Sequence, residues 1–130
     1  MKVTITPQEQ SDIFDSINVD VKKNLGNKNI YEDLMFIAAD NYITSTLKKE
    51  GVGIVLTVVG EAYFNDVKEF QFKGSKKKMD QDNYVFVGAK KSDINFYGFL
   101  SKDDLFDLAV TEKRGLYKIN LDELKPIEQL

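Results

Sequence analysis

The chain has 130 residues, 42% of them hydrophobic, with nine Phe and six Tyr, which is enough apolar material to bury a core within one domain (1–130). It contains neither Cys nor His, which excludes disulfides, thiolate or imidazole metal sites, cysteine nucleophiles and Ser-His-Asp triads. The formal net charge of −3 weighs against nucleic-acid binding by the chain as a whole, and no secretory signal or apolar run of roughly eighteen residues is visible, so a cytoplasmic protein without membrane association is expected.

Taken in order, Met1 to Thr6 reads as a short strand or an ordered tail. Thr6-Pro7 is a helix start, with a hydroxyl N-cap and proline at the first helical position. Ile13, Phe14, Ile17 and Val21 share one face of that helix, which is expected to end near Leu25-Gly26. Asn29 is expected to cap a second helix, with Ile30, Leu34, Ile37, Ala38 and Leu47 on its buried side and Gly51 at its end. Gly53 to Val59 is an apolar, β-branched run, as expected of a strand covered on both faces.

Glu61 to Lys73 reads as a hairpin turning at Lys68-Glu69. Gly74 to Asn83 is a polar loop, Tyr84 to Ala89 a strand, Lys90 to Asp93 a turn, and Ile94 to Leu100 another strand. Ser101 and Asp104 form an acidic capping box for a helix through Ala109. Glu112 to Gly115 reads as a turn, Leu116 to Ile119 as a last strand, and Leu121 to Leu124 as a single helical turn before Pro126. This order predicts an α+β fold, with N-terminal helices on a mixed, largely antiparallel central sheet and one later helix.

The hairpin carries the chemistry. With Lys68-Glu69 as a two-residue loop, Asp66 lies opposite Gln71, and Lys73, two residues further on, joins them on one face. A carboxylate, an amide and an ammonium on one face are the groups that a magnesium-dependent phosphodiester hydrolase needs. Lys-Glu is a poor pair for such a turn, where glycine or asparagine fits better.

Asp66, four residues, then Gln71-Phe72-Lys73 resembles the PD-(D/E)XK nuclease signature, in the variant with glutamine in place of the acid of the ExK element. The segments from Asp82, Ile94 and Leu116 resemble the C-terminal half of small phage-type members, so the likeness covers roughly residues 60–130. The resemblance implies a restriction-endonuclease-like core and a phage-encoded nuclease acting on nucleic acid, DNA first, in the host cytoplasm. It implies Mg²⁺ or Mn²⁺ held by Asp66, Gln71 and the carbonyl of Phe72, with Lys73 assisting the attacking water. Members often carry a further acid on the preceding helix. Asp40 matches that role best, with Glu32 and Glu61 as poorer choices.

Residues 66–91 hold seven lysines against four acids, so the suspected site lies in a net positive window. Lys76, Lys77 and Lys78 are candidate phosphate contacts, with Lys90 and Lys91 on a neighbouring turn extending the track; the alternative is a solvated loop whose lysines block edge pairing. Tyr97 could stack on a base or pack in the core. Two other classes fit the same residues. One is a catalytically degenerate binding protein, for DNA or a host defence protein, which Gln71 and the net charge favour. The other is a structural or assembly protein. A homodimer would suit an enzyme that cuts both strands.

Overall fold

Tyr84 to Ala89 is buried without interruption, and the architecture follows from that run. In a computed structural model describing residues 1–16, 28–58 and 68–130, it forms most of strand β4 (Asn83–Lys90). On one side β4 pairs antiparallel with β5 (Asp93–Ser101), and on the other it pairs parallel with β2 (Val52–Val58). The short β1 (Lys2–Thr4) adds antiparallel to β5, giving the order β1-β5-β4-β2. This is the mixed, largely antiparallel sheet expected, and together with the helices it makes an α+β fold.

Side-chain alternation along β4 divides the core in two. Val85, Val87 and Ala89 join Ile94 and Phe96 under the helices α1 (Pro7–Ser16) and α2 (Lys28–Ser45). Tyr84 and Phe86 point the other way, into a second cluster with Phe70, Phe72, Leu100, Leu105 and Ile119. β2 serves both faces, with Val55 in the second cluster and Ile54 and Leu56 packed against the first.

The second cluster is closed by another sheet, β3-β7-β6, built from β3 (Glu69–Lys73), β6 (Val110–Lys113) and β7 (Leu116–Asn120), together with the short α3 (Lys102–Leu108). Each fully buried Phe in this arrangement (Phe70, Phe86, Phe96) contributes about 1.5–3 kcal/mol over an exposed one. No helix among the described residues is long and apolar enough to cross a membrane.

Local signals set several boundaries. Thr6 Oγ1 accepts from the Glu9 amide at 3.1 Å while the Glu9 carboxylate accepts from the Thr6 hydroxyl at 3.0 Å, opening α1 with a capping box. Its expected end at Leu25-Gly26 lies outside the described residues. Ser101 caps α3 by accepting from the Asp104 amide at 3.2 Å. α2 ends at Ser45, earlier than the expected Gly51. The Thr44 hydroxyl bonds back to the Asp40 carbonyl at 3.0 Å, and Lys48 then takes a positive φ of 55° to turn the chain. The buried side of α2 is carried by Met35, Ala39 and Ile43 as well as the expected Leu34 and Ala38.

Two expectations need correction. Glu69 is no turn residue: it opens β3 and pairs with Asn120, because β7 offers a five-residue ladder that a Lys-Glu hairpin turn cannot match. Glu112 and Lys113 belong to strand β6, and the turn is reduced to Arg114-Gly115, with Gly115 at φ 78°.

The closing segment crosses the first sheet at Gly98. Phe99 and Lys125 exchange backbone hydrogen bonds of 3.0 Å each, and a β-carbon on Gly98 would fall 2.5 Å from the Lys125 carbonyl oxygen. Gly98 also holds φ 152°. Gly98→Ala is therefore expected to lower the urea midpoint by an amount equivalent to roughly 2 kcal/mol or more, with the slope unchanged. Gly115→Ala, with nothing within 4 Å of the added carbon, should cost about 1 kcal/mol through backbone conformation alone.

Candidate functional site

β3 is amphipathic by strict alternation. Phe70 and Phe72 are buried, whereas Glu69, Gln71 and Lys73 are exposed on the opposite face. The inward face is fixed by aromatic packing: Phe72 stacks on Tyr117 at 5.5 Å between centroids and meets Phe86 edge-on at 5.8 Å. Gln71 lies opposite Lys118 of β7, and Glu69 forms an ion pair of 3.0 Å with that same lysine.

A cleft of about 750 Å³ runs between α2, β2 and β3. β3 lines it with Gln71, Phe72 and Lys73, α2 with Glu32, Asp33 and Phe36, and β2 with Ile54 to Thr57. Two neighbouring carboxylates, one amide and one ammonium thus border a single space with a partly apolar floor. Phe36 is 44% exposed here, which leaves an aromatic ring at the rim.

The expected site residues divide accordingly. Gln71, Phe72 and Lys73 all line this cleft. Asp66, the expected carboxylate ligand, and Glu61 lie outside the described residues. Asp40 is half-buried further along α2 and is not among the residues lining the cleft. It stands seven residues past Asp33, about 10 Å along a helix axis, whereas Glu32, the poorer choice on sequence grounds, borders the cleft with Asp33. Asp33 was not singled out by the sequence reading. Asp33 and Phe36 stand on the exposed side of α2, whereas Glu32, on the same helical row as the buried Met35 and Ala39, is half-buried at the edge of the stripe. Among the described residues, no three acids gather closely enough to form a metal cage by themselves.

The lysines also divide. Lys76, Lys77 and Lys78 occupy an exposed turn between β3 and β4, where the Ser75 hydroxyl accepts from the Lys78 amide at 3.2 Å. The Lys76 ammonium sits 5.7 Å from the centre of the Phe106 ring. Lys90 and Lys91 sit at the far end of β4, about 23 Å along an eight-residue strand, so they do not continue the same track. Their turn is a structural anchor. The Tyr31 hydroxyl donates to the Lys91 carbonyl at 2.7 Å, the Ile5 amide donates to the Ser92 carbonyl at 2.7 Å, and Gln10 reaches the Ser92 hydroxyl at 2.6 Å. Burial first, and the Asp93 carboxylate second, push the Tyr31 phenol above its usual range.

Tyr97 packs at the core edge and meets Phe70 at 6.2 Å. Its hydroxyl lies where a β-carbon on Gly88 would be, at 2.4 Å. Burial pushes its phenol up to about 12, so it stays protonated throughout the neutral range. Because the folded value lies above the unfolded one near 10, its contribution to stability is complete below pH 10 and is lost as the pH rises towards 12. Tyr97→Phe should therefore flatten the decline of the thermal midpoint between pH 10 and 12, measured against wild type.

No protein-family model, curated protein sequence or solved structure matches the chain.

Proposed function

We propose that the chain is a metal-dependent phosphodiester hydrolase acting on nucleic acid, with its working groups around the cleft between α2 and β3. The observation that supports this reading is the meeting of Glu32 and Asp33 with Gln71 and Lys73 on one space. Carboxylate and amide oxygens suit a hard divalent cation, so Glu32, Asp33 and Gln71, with Asp66 by resemblance, are the residues that would hold Mg²⁺ or Mn²⁺. Such an ion, when bound, supplies positive charge against the negative charge developing on the phosphoryl oxygens. Lys73 offers a second cationic group on the cleft wall and orients the scissile phosphate. Water forms the new bond to phosphorus in line with the ester oxygen that leaves, whose bond to phosphorus breaks; the attacking water gives up one proton to solvent, the leaving oxygen takes one from solvent, and no side chain becomes covalently attached. The proposed protein works in the cytoplasm, the host's if it is phage-encoded.

A binding module on the same framework is the second reading, with DNA or a host defence protein as partner. Gln71 favours it: a neutral amide stands where the nuclease pattern has an acid, and the Lys118 side of β7 lies directly across from it. That substitution weakens the hold on a cation and suits an anion.

Cleavage of labelled DNA and RNA substrates with Mg²⁺ or Mn²⁺ separates the two. The expected result is metal-dependent cutting that Asp66→Ala, Lys73→Ala and the pair Glu32→Gln/Asp33→Asn each reduce by about 100-fold or more. Gln71→Glu should lower the metal concentration needed for half-maximal rate. Wild-type protein that binds nucleic acid without cutting it, and stays inert as Gln71→Glu, would replace the enzyme with the binding module.

A further inference from the structure

The second sheet turns Phe70, Phe72 and Ile119 inward and presents its other side to solvent. Strand register sets the order of residues on that side, because directly opposed residues share a face. Lys73 of β3 lies opposite Leu116 of β7, which lies opposite Lys113 of β6. In the next row Gln71 lies opposite Lys118, which lies opposite Val110. Lys73 and Lys113, far apart in sequence, are thus two strand widths apart, about 10 Å.

The β6–β7 turn adds the exposed Arg114 at the end of this row, and the Gly74 amide donates to the Gly115 carbonyl at 3.0 Å, joining that turn to the segment just after Lys73. Among the described side chains of this face and its turn, Lys73, Lys113, Lys118 and Arg114 stand against Glu69 in a chain whose total is −3; Glu32 and Asp33 border the cleft beside Lys73, so the excess of cations is greatest at Lys113 and Arg114. Glu69 is already engaged by Lys118, so its charge does not oppose Lys113 or Arg114 directly. Lys76 contributes less, since it shares a crevice with Lys102, Asp103 and Asp107.

We infer that this face grips the nucleic-acid backbone beside the cleft, with Lys113 and Arg114 holding phosphates of the strand whose scissile group lies at Lys73. The inference rests on the nucleic-acid reading above and adds the mode of recognition. Tyr117 and Phe72 face inward, so the outward side offers cations and not stacking rings, and the contact is to phosphate without preference for base.

The test is the salt dependence of binding, by fluorescence anisotropy, in an Asp66→Ala background without divalent metal, on labelled single-stranded and duplex DNA. Removing two phosphate contacts should make the slope of log K against log salt shallower by about 1.5 in Lys113→Ala/Arg114→Ala, with weaker binding to every sequence tried. Lys48→Ala/Lys49→Ala, an equal charge change on the loop between α2 and β2, serves as the comparison. Lys113→Gln/Arg114→Gln is the alternative if the alanine pair shifts the thermal midpoint. Binding by the parent protein with an unchanged slope in both Lys113/Arg114 variants would overturn the inference and leave the hydrolase reading standing. An equal loss in the Lys48/Lys49 variant would reduce the effect to overall charge and overturn it as well. Absence of DNA binding by the parent, or equal binding to anionic lipid vesicles, would remove the nucleic-acid reading and the inference together.

Discussion

Everything in this molecule depends on burying both sides of β4. A strand flanked by β2 and β5 can exclude water over six consecutive residues only if each of its faces is covered by a separate layer. The helices cover one face. The other is left apolar by Tyr84 and Phe86, and it recruits β3, β7 and α3 through Phe70, Phe72, Ile119 and Leu105. The second sheet therefore exists because the first has a second hydrophobic side. The position of Gln71 and Lys73 follows from the same demand: once Phe70 and Phe72 turn towards Phe86, the polar residues alternating with them must face outward.

That geometry explains how much could be read from the chain. The caps at Thr6 and Ser101, the β4–β5 turn and the α+β class are local signals, since each rests on residues close in sequence. The partner of β3 was not local. Its apolar alternation predicted a strand, and the hairpin expectation put Asp66, outside the described residues, opposite Gln71; no local signal named Lys118, 47 positions later, as the partner on β7. The ranking of acids on α2 failed for a related reason. Asp33 and Asp40 are seven residues apart and so share one side of the helix, and which turn of α2 meets β2 and β3 is set by tertiary packing that no local pattern shows.

The charge distribution carries the same lesson. Sequence windows grouped Lys76 to Lys78 with Lys90 and Lys91 because they are close in the chain, yet β4 holds them apart. Lys113 and Arg114 looked like an isolated turn, yet strand pairing brings them to the row that begins at Lys73. A net charge of −3 therefore says little about the surface that any one partner meets.

The parallel pairing of β2 with β4 has a consequence for the order of folding. Val52 meets Asn83, and β1 meets β5 across some ninety residues, whereas β4 and β5 are joined by a turn of two residues, Lys91 and Ser92. Loop closure is least costly at this turn and at Arg114-Gly115 between β6 and β7, so the two hairpins are the local units of the fold. β2 and β3 pair across longer stretches, Val52 with Asn83 and Gln71 with Lys118, so their closures cost more. The cleft lies between these two strands and α2, so it is bordered by the pairings with the longer closures.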